Sequence, residues 1–174
     1  MEILLWITGS VIAMAFFEYI VHRWLMHNAI LGKKFSFFAL TMEAHAILHH
    51  GRYFKIFDHD TDPASHHIDI ELHPGKTLVE FSPVWGTIMY FNPLGGIILV
   101  AVITIHGIIW TTIHREMHCP IGAWYCKTRL FKYLRNNHYI HHLHPTSNYC
   151  IVLPPFVDYI FNTHRKADDV EGLL

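Results

Sequence analysis

Two stretches of this 174-residue chain leave few folds open. Residues 3–21 are nearly all apolar and carry one acid, Glu18; residues 94–113 are interrupted only by His106 and small residues. A helix of that length rises roughly 28 Å, about the thickness of a bilayer's hydrocarbon core. Both stretches therefore read as transmembrane helices; the alternative is a pair of buried helices in a soluble bundle. Hydrophobic residues make up 52 % of the chain, which favours the first reading. Residues 3–21 lack a basic leading region and a small-x-small cleavage site, so a retained helix is expected rather than a secretory signal.

Both runs end alike, at His22-Arg23 and at His114-Arg115. Lys and Arg lie at or beyond those ends or within residues 33–76, whereas Met1-Glu2 and Asn92-Pro93 carry none. By the positive-inside rule the histidine-bearing ends face the cytoplasm. A return crossing is then needed before Asn92. It is expected at about 77–91, as a short or tilted span turning at Asn92-Pro93-Leu94-Gly95-Gly96. Residues 35–50 read as helical, 51–75 as a polar loop, and 123–135 as an interfacial amphipathic helix. The tail from Arg165 is polar. The expectation is a single domain over 1–174, an all-α integral membrane helical bundle. The formal charge of −1 gives no sign of a nucleic-acid partner, and Cys119, Cys126 and Cys150 form no CxxC pair.

Seventeen residues are histidine, and ten stand in four clusters: His22-x4-His27, His45-x3-His49-His50, His114-x3-His118 and His138-x2-His141-His142. Neutral imidazole is the commonest metal side-chain ligand, and ten exceed what one ion can hold, so the clusters suggest two ions. Residues three or four apart share a helix face. His45 and His49 are expected to point the same way with His50 flanking; His114 and His118 share a face, as do His138, His141 and His142. His22 and His27 would diverge by about 140° on an ideal helix. Either the helix loosens near Met26-His27 or the two serve different metals. Close-set imidazoles repel when protonated and need partners when buried, which weighs against a structural role for all four clusters.

Outside the clusters, His106 is either a functional group or a hydrogen-bonded member of the bundle. His59, His66, His67 and His73 read as loop residues, His144 as a neighbour of the site and His164 as a tail residue. Glu18 is placed one turn before His22, where it can accept that ring's free N–H; Asp158 is a second candidate for such a role. Zincin chemistry is excluded: Glu116 in His114-Arg-Glu-Met-His118 sits two positions after the first His, about 200° round the helix. No Glu-x-x-His ligand pair of the soluble di-iron bundles occurs, and no nucleophile elbow, P-loop or dinucleotide fingerprint.

From about Phe16 to Thr163 the chain resembles the fatty acid hydroxylase/sterol desaturase superfamily of integral-membrane oxygenases. The resemblance rests on Glu18-Tyr-Ile-Val-His22-Arg-Trp-Leu-Met-His27, the three later boxes, Ser147-Asn148-Tyr149 and Val157-Asp158-Tyr-Ile-Phe161-Asn-Thr163. His73-Pro74 followed by Glu80 is similar to an H-P-x-E element of some members. The second box departs from the family's H-x2-HH, and Val157 and Asn162 stand where the family has Trp and Gly.

The resemblance implies a cytoplasmic-side centre of two iron ions, with the ten clustered histidines as ligands. It implies insertion of oxygen from O2 into an unactivated C–H bond of a membrane lipid. The chain carries no redox motif, so an external electron donor is required, a ferredoxin or a cytochrome with its reductase. Zinc can replace iron in a purified imidazole site. Two rivals stay open: a desaturase on the same centre, and a membrane metal transporter or store.

Overall fold

The computed structural model describes residues 1–58 and 74–166. Among the described residues every regular element is helical. Helix α1, Glu2–Ile20, runs without a break into a π-turn, Val21–Met26. Two short helices follow, α2 (Ala29–Lys34) and α3 (Ser36–Met42). A second π-turn, Glu43–His49, leads into α4, His50–Ile56. After the undescribed stretch come α5 (Pro74–Glu80), α6 (Ser82–Phe91) and the longest helix, α7 (Pro93–His118). A 3-10 turn, Trp124–Lys127, precedes α8 (Arg129–Leu143), and α9 (Phe156–Ile160) closes the described chain.

Two helices are long and apolar enough to cross a membrane, Glu2–Met26 and Pro93–His118. They pack in parallel: Trp6 lies against Gly95, Met14 against Leu99 and Ile103, and Glu18 against His106. Parallel packing brings the C-terminal ends of both helices, and the histidines on them, to one level. The outward faces remain apolar and exposed, with Leu4, Leu5 and Ile12 on α1 and Ile97, Ile105 and Ile108 on α7.

The expected span at 77–91 is divided. Helix α5 ends at Glu80, and Phe81 (φ −88°, ψ 0°) separates it from α6, whose first turn holds Pro83. Proline lacks the amide hydrogen that an unbroken helix would need there. Both short helices pack along α7. The reversal into α7 occurs where expected. The Asn92 side chain accepts from the Gly95 amide at 2.8 Å, and Pro93 takes the first helical position. Gly96 is required here, because a Cβ would stand 2.4 Å from Met89 Cβ.

The segment 123–135 likewise is not one helix. Its 3-10 turn stops at Thr128, whose hydroxyl accepts from the Phe131 amide and starts α8 afresh. Helix α8 buries Phe131, Leu134 and His138 and exposes Leu130, Lys132 and Tyr133. The apolar residues around Trp110, Met117, Phe131, Leu134 and Ile151 tie α7, α8 and the chain after it into one cluster.

Candidate metal centre

Two local distortions aim the first histidines. In a π-turn the backbone bonds run from i to i+5, so residues five apart stack above one another. The turn at Val21–Met26 therefore removes the divergence expected of His22 and His27, whose rings come within 5.1 Å. The loosening begins at Val21, a turn earlier than the sequence suggested. The second π-turn acts in the same way on His45 and His50, also five apart. His45 and His49 point the same way, as expected. Their rings stack at 4.9 Å, yet their nitrogens serve different groups.

Two groups result. In one, single ring nitrogens of His22, His27, His45, His50 and His141 all lie within 4.8 Å of one another. In the other, His49, His118, His138 and His142 do the same. His114 stands beside the second group, with Nε2 3.0 Å from His138 Nε2. The groups adjoin: the rings of His50 and His142 stack at 4.3 Å. All ten clustered histidines are thus brought together. Helix α8 presents its three histidines on one face, as expected, and that face divides between the groups, His141 joining the first and His138 and His142 the second.

Hydrogen bonds at the outer nitrogens fix the inner ones. His22 Nδ1 donates to the Tyr149 carbonyl at 2.6 Å, His141 Nδ1 to Ser147 at 2.6 Å and His118 Nδ1 to Phe57 at 2.7 Å. A carbonyl can only accept, so these three rings carry their proton at Nδ1 and turn an Nε2 lone pair inward. Within each group Nε2 faces Nε2, at 2.9 Å for His22–His45 and His118–His138, and at 3.1 Å for His27–His141, His50–His141 and His49–His142.

Burial keeps the imidazoles uncharged. It acts first and neighbouring imidazoles second to pull His27 down to about 2 and His50 to about 3. His45, His49, His138, His141 and His142 are held well below the ordinary value for the same two reasons.

These residues fit a pair of transition-metal ions. Cis ligands about 2.1 Å from a shared ion stand roughly 3.0 Å apart, the spacing found between facing nitrogens. Uncharged imidazole is the form that binds metal, and an all-imidazole donor set suits iron, zinc, copper or nickel. Among the described residues the buried Nδ1 atoms of His49, His50, His138 and His142 have no hydrogen-bond partner.

The supporting carboxylates are placed differently from expectation. Glu18 does not accept from His22. Its Oε1 takes the amides of Ile151 (2.7 Å) and Val152 (3.0 Å), and its Oε2 takes His106 Nε2 at 3.2 Å. The cause is the chain after α8, which docks residues 149–153 against α1 and offers His22 a backbone carbonyl instead. Asp158 holds the other side of that segment, accepting from the Tyr149 and Cys150 amides at 2.8 and 2.9 Å. Both acids thus position a carbonyl that orients a histidine. His106 pairs with Glu18 and belongs to neither group. Glu116 faces away, as expected, and gathers the amides of Ile121, Gly122 and Ala123. His59, His66, His67 and His73 lie outside the described residues.

Sequence reasoning missed the carbonyls of Phe57, Ser147 and Tyr149, since every residue has one. One signal pointed there: Asn148, buried at a positive φ of 53°. Asparagine tolerates this conformation better than most residues. The reversal lets the carbonyls on either side of it face His141 and His22. Tyr53, stacked 4.0 Å from the His118 ring, also went unnoticed.

No family model, no curated protein and no solved structure matches this chain.

Proposed function

We propose that this chain is a membrane-embedded, O2-dependent lipid hydroxylase that holds two iron ions between its histidine groups. One observation carries the reading: two adjoining sets of inward-facing imidazole nitrogens, at the shared end of two helices of bilayer length. The substrate is a fatty-acyl, sphingolipid or sterol-type lipid, and the electrons come from a ferredoxin or a cytochrome with its reductase. The histidine end is read as cytoplasmic from the distribution of Lys and Arg.

Bound iron would supply the O2-dependent oxidation of a C–H bond that side chains cannot perform. The protein's own part is to bind, orient and exclude. His22, His27, His45, His50 and His141 would hold one ion; His49, His118, His138 and His142, with His114 beside them, the other. The carbonyls of Phe57, Ser147 and Tyr149 keep the rings in the ligating tautomer. Tyr53, Phe57 and Trp110 cover the second group with aromatic surface and keep water from it. A narrow cleft between the long helices, lined by Phe17, Val21, Met26 and Trp110, has His22 in its wall. Exposed Lys127, Arg129 and Lys132 offer an acidic electron donor a docking face.

The test is oxidation of lipid extracts by purified, iron-loaded protein with O2 and a reducing system. A product heavier by one oxygen atom is expected. A product lighter by two hydrogens would make the chain a desaturase. Absence of oxidation in every lipid class, with metal flux in liposomes, would establish the transporter reading. Ligands at helix ends argue against transport, whose sites lie near the bilayer midplane.

A further inference from the structure

We infer that the cleft beside His27 binds the anionic group of a lipid, a carboxylate or a phosphate, through Arg23. The inference rests on the lipid-oxidase reading and names the substrate's polar end.

Arg23 lies on the first π-turn, between two candidate metal ligands. Its guanidinium is boxed by aromatic rings, 5.6 Å from Tyr19, 5.3 Å from Trp24 and 5.8 Å from Tyr149. It donates one hydrogen bond, to the Tyr19 hydroxyl. A guanidinium has five N–H donors, so most of its capacity is unspent. Arg135, by contrast, is matched by Asp58, whereas among the described residues no carboxylate pairs with Arg23. The rings restrict its hydration and compensate only part of the charge. A half-buried cation of this kind favours an anion.

The surroundings suit an anion carried by a lipid. Arg23 and Trp24 form one wall of an open cleft of about 350 Å³, with Asn28 and Thr146 as further hydrogen-bonding groups. His27 also lines it, and His27 is the one member of the first group that is not fully buried. A molecule anchored at Arg23 therefore extends past the first metal group. Exposed Trp24, Ile20 and Ile30 surround that end of α1 with apolar surface suited to a lipid tail. Carboxylate and phosphate both match the planar guanidinium fork, which can bond two of their oxygens at once.

The experiment measures equilibrium binding of oleate, dioleoyl phosphatidate and oleyl alcohol to the full metal-loaded chain in detergent. At least one anion is expected to bind about tenfold or more tightly than the alcohol, and the tighter anion identifies the source. Arg23→Gln should weaken binding of that anion about tenfold to a hundredfold and leave the alcohol and the metal content unchanged. Arg23→Lys should restore part of the loss, which holds even if the glutamine variant folds poorly. Equal binding of alcohol and anions, or an Arg23→Gln chain that binds the anion like the wild type, would overturn the inference. Arg23-dependent anion binding without any lipid oxidation would overturn the oxidase and leave the anion site standing. Oxidation that ignores the anionic group would do the reverse.

Discussion

At the scale of single residues, the centre is built from imidazoles whose outer nitrogens are held by peptide carbonyls. Two histidines from one box answer to different groups. Replacing His141 by Ala should therefore empty the first group and leave the second occupied, and His138→Ala should do the opposite. Elemental analysis of the purified variants should find the metal-to-protein ratio roughly halved in each, and near zero in the double variant. Asp158 belongs to no group, yet it fixes the segment whose Tyr149 carbonyl orients His22. Asp158→Asn replaces one acceptor oxygen by a donor facing a buried amide. It should cost about 2 kcal/mol of stability and lower metal affinity roughly 10- to 100-fold. Thermal unfolding and metal titration read the two effects. The ten histidines were legible in the sequence because imidazole in clusters is rare chemistry. Their allocation to groups was not, because it depends on the turn each one occupies and on which backbone carbonyl reaches it.

At the scale of elements, the two π-turns carry the departure from ordinary helix. Each accommodates one extra residue in a turn, and each has histidines five apart at its ends or just beyond. The second coincides with the extra residue by which His45-x3-His49-His50 departs from the H-x2-HH spacing. Deleting Ile47, whose side chain is exposed, should relax that turn to an α-helix and keep the flanking helices in phase. His45 and His50 would then be four apart and still share a face. The variant is expected to keep its metal, whereas inserting a second residue there should lose it; elemental analysis distinguishes the cases. Helix periodicity located α1, α7 and α8 and foresaw a loosened turn near His27. It misjudged the divided helix at Phe81 and the restart at Thr128, because single residues that break or cap a helix outweigh an apolar pattern.

At the scale of the molecule, parallel packing of α1 and α7 gathers ten imidazoles into one interior. The price is sensitivity to acid. In the unfolded chain these histidines take up protons near 6.5, whereas in the fold His27 and His50 resist down to about 2 and 3. Below about pH 6.5 the unfolded state binds more protons than the native state, so stability falls with falling pH across the window between these values. Above it both states are neutral and the penalty vanishes. The metal-free protein in detergent should therefore unfold at a markedly lower temperature at about pH 5 than at about pH 8, and bound metal should raise the unfolding temperature at both. A melting temperature independent of pH would contradict the buried, uncharged cluster.

What the sequence determined by itself is the set of parts: two helices of bilayer length, four histidine clusters at their ends and between them, and two acids near the site. Apolar length and imidazole clustering are local properties and survive in one dimension. What only the tertiary structure decided is the assignment: five histidines to one group and four to the other, with His114 beside it, Glu18 to a backbone segment rather than to His22, and Arg23 to an open cleft. These follow from how the chain after α8 folds back over α1. They depend on contacts more than a hundred residues apart, such as His22 with Tyr149 and Glu18 with Ile151, which no local pattern encodes.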